Sequence, residues 1–143
     1  MVTVYIWDAR YAGGSVGHVA MAITGGQPAG ATYISWWPAK RRLDVISVGV
    51  PRVIHTSLEE DEGPRGEGRK PDHTIQLQGL DETAIKAFWK RWAQNANYQG
   101  LLFSCATTVG WALKQGGGDR YARSWTDPKV WTPADLLSYA LAI

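Results

Sequence analysis

Cys105 is the only cysteine in the 143 residues, and it stands in the small-residue stretch Ser104-Cys105-Ala106-Thr107-Thr108-Val109-Gly110. The stretch reads as the start of a helix that Gly116-Gly117-Gly118 ends. A thiol at a helix start faces free backbone N–H groups and the positive end of the helix dipole, and both favour a thiolate. The same N–H groups can hold an oxyanion forming on a substrate carbonyl. The small neighbours Ser104 and Ala106 let that carbonyl come close. The alternative is a buried, inert thiol, which is what many lone cysteines are.

A cysteine nucleophile benefits from a base that takes its proton. The chain has three histidines. His18 follows Gly17 and opens the apolar run His18-Val19-Ala20-Met21-Ala22-Ile23, so its backbone is fixed by a strand while its ring lies at an edge. His55 borders a charged segment and His73 begins another strand. No histidine pair has ligand spacing such as HxxxH, and one cysteine cannot build a multi-thiolate zinc site. No metal and no cofactor is therefore expected.

These residues must be positioned by the elements around them. Residues 2–7 and 32–37 are β-branched and aromatic and read as strands, as does 18–23 between them. Residues 43–48 read as a further strand, and Thr74-Ile75-Gln76-Leu77-Gln78 alternates with a period of two. Asp81 can cap a helix on which Ile85, Phe88, Trp89 and Trp92 share one stripe. Thr132-Pro133-Ala134-Asp135 signals another, with a capping hydroxyl, proline at the first helical position and a carboxylate in the first turn. Strands followed by helices argue for α+β. The whole chain, 1–143, reads as a single domain. Residues 59–71 are rich in charge, Gly and Pro without apolar periodicity, and are expected to form a mobile surface loop.

Bulk properties exclude some functions. A formal net charge of +2 is too mild for nucleic acid or an anionic membrane. The run Lys40-Arg41-Arg42 is explained by a solvated turn. Met1-Val2-Thr3-Val4-Tyr5 has no basic region and no long apolar stretch, so no secretory signal is read. No run approaches the ~18 apolar residues of a membrane span. Synthesis in the cytoplasm is expected, and delivery out of the producing cell is compatible with it. Eight tryptophans in so short a chain thicken a small core or line a groove.

Gly17-His18-Val19-Ala20 opening a strand, with Ser104-Cys105-Ala106-Thr107 opening a helix downstream, resembles the circularly permuted papain-like cysteine hydrolases. That superfamily includes NlpC-type amidases and peptidases and lecithin:retinol acyltransferase-like enzymes. The resemblance implies an antiparallel sheet packed against helices, with the His strand before the Cys helix. It implies Cys105 as nucleophile and His18 as base, with a polar orienting group on the following strand. Alternation puts Tyr33, Ser35 and Trp37 on one face there, so Ser35 is the candidate. Tyr98 stands at the offset of a tyrosine that lines the oxyanion site in NlpC-type members. Those members usually read Asp-Cys-Ser-Gly at the nucleophile, and the lipid-acting branch Asn-Cys, so Ser-Cys-Ala-Thr leaves the branch open.

The leading expectation is a cysteine peptidase or amidase that cleaves an amide in a peptide or protein, peptidoglycan peptide included. A compact domain of this kind suits a bacterial toxin or effector, with an inhibitory or immunity protein as a candidate partner. The small, hydroxylic wall around Cys105 favours amides over long-chain lipids. A lipid acyltransferase or lipase on the same fold requires a contiguous apolar entry patch beside Cys105. A non-catalytic binding module requires exposed tryptophans in a groove, drawn from Trp36, Trp37, Trp89 and Trp125.

Overall fold

The computed structural model describes residues 1–38, 50–94, 97–98 and 104–143. Among the described residues the strands and α-helices run in the order β1 (Val2–Trp7), β2 (His18–Ile23), β3 (Thr32–Pro38), β4 (Val50–Ile54), α1 (Leu58–Glu62), β5 (His73–Leu77), α2 (Glu82–Trp92), β6 (Asn97–Tyr98), α3 (Cys105–Gln115) and α4 (Pro133–Ala142). The strands form one six-stranded sheet in the order β5-β1-β2-β3-β4-β6, antiparallel at every pairing. The architecture is α+β, with the His18 strand preceding the Cys105 helix, as the sequence led us to expect.

Local signals explain most boundaries. Asp81 accepts from Ala84 N at 2.9 Å and starts α2. Ser104 accepts from Thr107 N at 3.1 Å and starts α3. Thr132 and Asp135 form a reciprocal capping box at α4, behind Pro133. Ile85 and Phe88 of α2 are buried, and Trp89 and Trp92 pack partly buried beside them. The expected strand at 43–48 and the Lys40-Arg41-Arg42 run lie outside the described residues. β4 had no clear signal, because Pro51 and Arg52 interrupt its apolar alternation.

The sheet is covered on two sides. Val19, Met21 and Ile23 of β2 and Ile34 of β3 join one core with Val109, Ala112 and Leu113 of α3 and Leu136 and Tyr139 of α4. Trp36 follows Ile34 on that side and meets Trp89 and Trp92 of α2. On the opposite side Tyr33, Ser35 and Trp37 all reach Asp61 of α1.

That packing corrects the expectation for residues 59–71. The segment starts with a helix capped by Ser57, which accepts from Glu60 N at 3.2 Å. Asp61 within it has no solvent exposure. The turn after it folds back on Asp61, where Glu67 N donates to Asp61 O at 2.7 Å. Glu67 also receives the Ser15 hydroxyl at 2.8 Å, and Ser15 Oγ accepts Gly17 N at 3.0 Å. The buried feature is polar, so a search for apolar periodicity could not register it. Among the described residues, no helix is long and apolar enough to cross a membrane.

Candidate active site

Gly17 and the β1–β2 pairing place His18. Trp7 and His18 are register partners, and Gly17 sits at φ +88° with Trp7 O 2.7 Å from where a Cβ would lie. Any side chain there would push the start of β2 away from β1. The His18 ring is 1% exposed, tilted against Trp7 and stacked on Trp37.

Nε2 of His18 lies 3.1 Å from Ser35 Oγ and 3.5 Å from Asp61 Oδ2. Ser35 Oγ in turn donates to Asp61 Oδ1 at 2.8 Å. The carboxylate also receives the Tyr33 hydroxyl at 2.5 Å, the Trp37 indole N–H at 2.7 Å and His55 Nδ1 at 2.8 Å. A carboxylate removed from water is costly unless donors replace the water, and these replace it. Burial alone would push Asp61 up. The hydrogen bond and charge of His18, with the Tyr33 and Trp37 donors, hold it well below the usual carboxylate range. Burial and the Asp61 charge push the Tyr33 hydroxyl far above its ordinary value, so Tyr33 stays a donor.

Cys105 is the first residue of α3 and 5% exposed, and its charge acts on the His18 ring. Burial disfavours the charged ring, but the Cys105 charge, Asp61 and their hydrogen bonds outweigh it and raise His18 to about 9. Cys105 belongs to the same buried cluster as Trp36, with Ile54, Trp89 and Trp92 packed on it. Imidazole, serine and carboxylate therefore form one hydrogen-bonded group, and the thiol is buried against an aromatic wall.

Several sequence expectations are refined here. Ser35 is beside the imidazole, but it shares that place with a carboxylate that sequence reasoning missed. The one available signal was Ser57-Leu58-Glu59-Glu60, a capping pattern just ahead of Asp61. Ser104 is not an open polar wall: its hydroxyl caps Thr107 N and meets Thr107 Oγ1 at 3.0 Å. Thr108 Oγ1 is likewise spent on Ser104 O at 2.8 Å. Ala106 is buried in the first turn beside the thiol. The backbone of Tyr98 pairs with Val50 in the sheet, and its side chain lies outside the described residues. His73 pairs with Asp8 at 3.0 Å and takes no part in the group. Trp36 and Trp37 are 1% and 7% exposed, so neither is the open aromatic surface that a binding module requires. Among the described residues, no group of His, Cys, Asp and Glu could hold a metal ion.

Comparison with known proteins adds a relationship. A region of the multifunctional-autoprocessing repeats-in-toxin protein of Vibrio vulnificus is 40% identical over 112 residues, which is 73% of this chain and 2% of that protein. The protein of the same name from Vibrio cholerae serotype O1 is 40% identical over 73 residues, 48% of this chain and 2% of that protein. The chain thus spans about 2% of the length of these curated relatives. A family model described as the IcsB middle domain matches residues 50–143. That match takes in Asp61 and Cys105 and begins after His18. On this match, which covers the larger part of its length, the chain belongs to the IcsB middle domain family.

Proposed function

We propose that the chain is a cysteine-dependent acyl-transfer domain of a toxin or effector. In this reading Cys105 is the nucleophile, His18 the general base and acid, and Asp61 with Ser35 the orienting pair. The observation that carries it is the buried network that joins His18 to Ser35 and Asp61, with Cys105 among the groups whose charge acts on the His18 ring. The order of His strand and Cys helix supports the permuted papain-like arrangement. The toxin assignment rests on the name of the Vibrio relatives; delivery out of the producing cell and an inhibitory or immunity partner go with it.

The chemistry follows from the nitrogens. Nε2 is held by Ser35 and Asp61, so Nδ1 is the nitrogen left to serve the thiol. The ring takes the Cys105 proton, the thiolate attacks an acyl carbonyl, and the oxyanion is held by N–H groups of the first turn of α3. The carbon–leaving-group bond breaks, and the imidazolium returns a proton to the leaving group. An acceptor then gives its proton to His18 and attacks the thioester, which restores the thiolate.

The surroundings of the thiol favour an apolar acyl group over a peptide. The hydroxyls expected to grip a peptide backbone are consumed by the α3 cap. What packs on Cys105 instead is the buried Trp36 cluster, surroundings that suit an apolar chain better than a peptide backbone. The decisive experiment incubates the protein separately with a long-chain acyl thioester, peptidoglycan fragments and a protein lysate, and then measures its intact mass. The expected result is a mass increase of one acyl group, present with the acyl thioester and absent in Cys105→Ala. Cleavage of peptides without acyl-enzyme would return the domain to the amidases, and no thiol-dependent product with any of the three would overturn the reading.

A further inference from the structure

Of the buried ionisable groups that the mechanism above leaves unused, His55 touches the orienting carboxylate. His55 follows β4, is 4% exposed, and holds Asp61 Oδ1 through Nδ1 at 2.8 Å. Its own backbone N–H is tied to Ser35 O at 3.3 Å, so the ring is anchored to the strand that carries the orienting serine. It lies two residues before Ser57, the cap that starts the helix bearing Asp61.

The donors divide between the two carboxylate oxygens. Oδ1 receives Ser35, Trp37 and His55, whereas Oδ2 receives Tyr33 and faces His18 at 3.5 Å. Three donors saturate Oδ1 and fix the carboxylate plane, which sets Oδ2 toward His18. Two imidazoles thus share one carboxylate: His18 on the thiol side, His55 on the far side. Trp37 lies between the rings, stacked on His18 and 5.4 Å from His55.

We propose that His55 is a positioning residue, whose Nδ1–H locks Asp61 in the rotamer that presents Oδ2 to His18. The inference rests on the catalytic reading of Cys105 and His18, and it adds His55 to their support. Without His55 the buried carboxylate loses a charge-assisted hydrogen bond and gains room to turn. His18 then loses part of the negative charge that keeps it protonated.

The test uses the full chain with no substrate. His18 is titrated by imidazole NMR, and the Cys105 alkylation rate with iodoacetamide is followed against pH. His55→Phe keeps a ring and removes the donors. His55→Asn keeps an amide N–H near the place of Nδ1. In His55→Phe the His18 midpoint should fall by about one pH unit, equivalent to roughly a tenfold change in the protonation equilibrium. The alkylation profile should shift with it, and His55→Asn should recover most of the wild-type value. Should His55→Phe not fold, His55→Gln, with its amide one bond farther out, serves as the donor-displacing variant. An unmoved His18 midpoint in a folded donor-displacing variant overturns the proposal. His18→Gln in the otherwise unaltered chain separates the two claims: if it leaves Cys105 alkylation unchanged, the catalytic pairing fails, while the NMR midpoint still decides the role of His55.

Discussion

His18 lies face to face on the indole of Trp37, with ring centroids 3.8 Å apart and planes inclined by 23°. The same indole donates to Asp61 Oδ1 and to Ser35 Oγ. Trp37 therefore stabilises the protonated imidazole twice, by its π face and by fixing the carboxylate beyond it. An aromatic face under a desolvated cation contributes on the order of 1–2 kcal/mol. Trp37→Phe should keep the stack and lose only the donor, so turnover falls modestly. Trp37→Leu should lose both, with a fall of roughly ten- to thirtyfold, since each 1.4 kcal/mol is a factor of ten. Equal activity of the two variants would show that the face contributes nothing.

Asp61 and Ser35 can be ranked. Ser35 is neutral and bridges, while Asp61 carries the charge. Asp61→Asn should lower turnover by up to about 10⁴, the loss that follows when the orienting carboxylate of a Ser-His-Asp triad becomes an amide. Ser35→Ala should cost about tenfold, because Asp61 stays within 3.5 Å of Nε2. Steady-state rates of the two variants, each confirmed folded by circular dichroism, check the order. A Ser35→Ala loss larger than that of Asp61→Asn would make the hydroxyl the principal orienting group.

How far the sequence reveals this site depends on the kind of interaction. The starts of α2, α3 and α4 were legible because Asp81, Ser104 and Thr132 are local caps, whose partners lie three residues away. The face shared by Tyr33, Ser35 and Trp37 was legible because a strand alternates with period two. Asp61 was not legible. It lies in a five-residue helix with acidic residues in its first turn and no apolar stripe, and its burial comes from donors on β3, from His55 and from His18. Nothing within its own segment records those partners. The hydroxyls near Cys105 are a related case: sequence gives their presence but not their commitment to the helix cap.

Composition alone would make residues 60–69 expendable, and the structure predicts the reverse. Removing them removes Asp61 and takes from Tyr33, Ser35 and Trp37 the carboxylate that accepts from all three. The finer probe is Gly66→Ala. A Cβ there would stand 2.1 Å from Asp61 O and 2.6 Å from Asp61 Cα, a backbone conflict that no rotamer relieves. The variant should lose about 1–3 kcal/mol, the usual cost of a forced backbone shift in a packed site, together with activity. Denaturant unfolding of Gly66→Ala beside Gly68→Ala, where no atom lies within 4 Å but φ is +72°, separates local crowding from backbone strain. A smaller loss for Gly66→Ala than for Gly68→Ala would refute the close packing.

Cys105 and His18 should behave as a unit. If the thiol reacts only with the help of the ring, Cys105→Ala and His18→Gln each abolish turnover, and the double variant is scarcely worse than either single one. Both side chains are buried, so folding must be measured beside activity. Multiplicative losses in the double variant would mean that the two residues act independently.

The same pair makes stability depend on pH in a defined window. His18 is raised from its ordinary 6.5 to about 9 in the folded chain: burial opposes the charged ring, and the Cys105 and Asp61 interactions overcome that opposition. Between those values the folded state holds a proton that the unfolded state has released. The His18 contribution is therefore fully present below pH 6.5 and is lost as pH rises through about 9. Asp61 works in the other direction. Its carboxyl is held below the ordinary 3.8, so its contribution is present above that value and is lost only as pH falls beneath it. Melting temperatures should thus form a plateau from about pH 4 to 6.5 and decline toward pH 9. His18→Gln should flatten the upper decline and leave the acid limb in place. Cys105→Ser should shrink the upper decline, because the Cys105 charge is one of the forces that keep the ring protonated. A His18→Gln protein that loses stability between pH 6.5 and 9 as steeply as the parent would place that titration on another group and remove the support for a charged imidazole at the site.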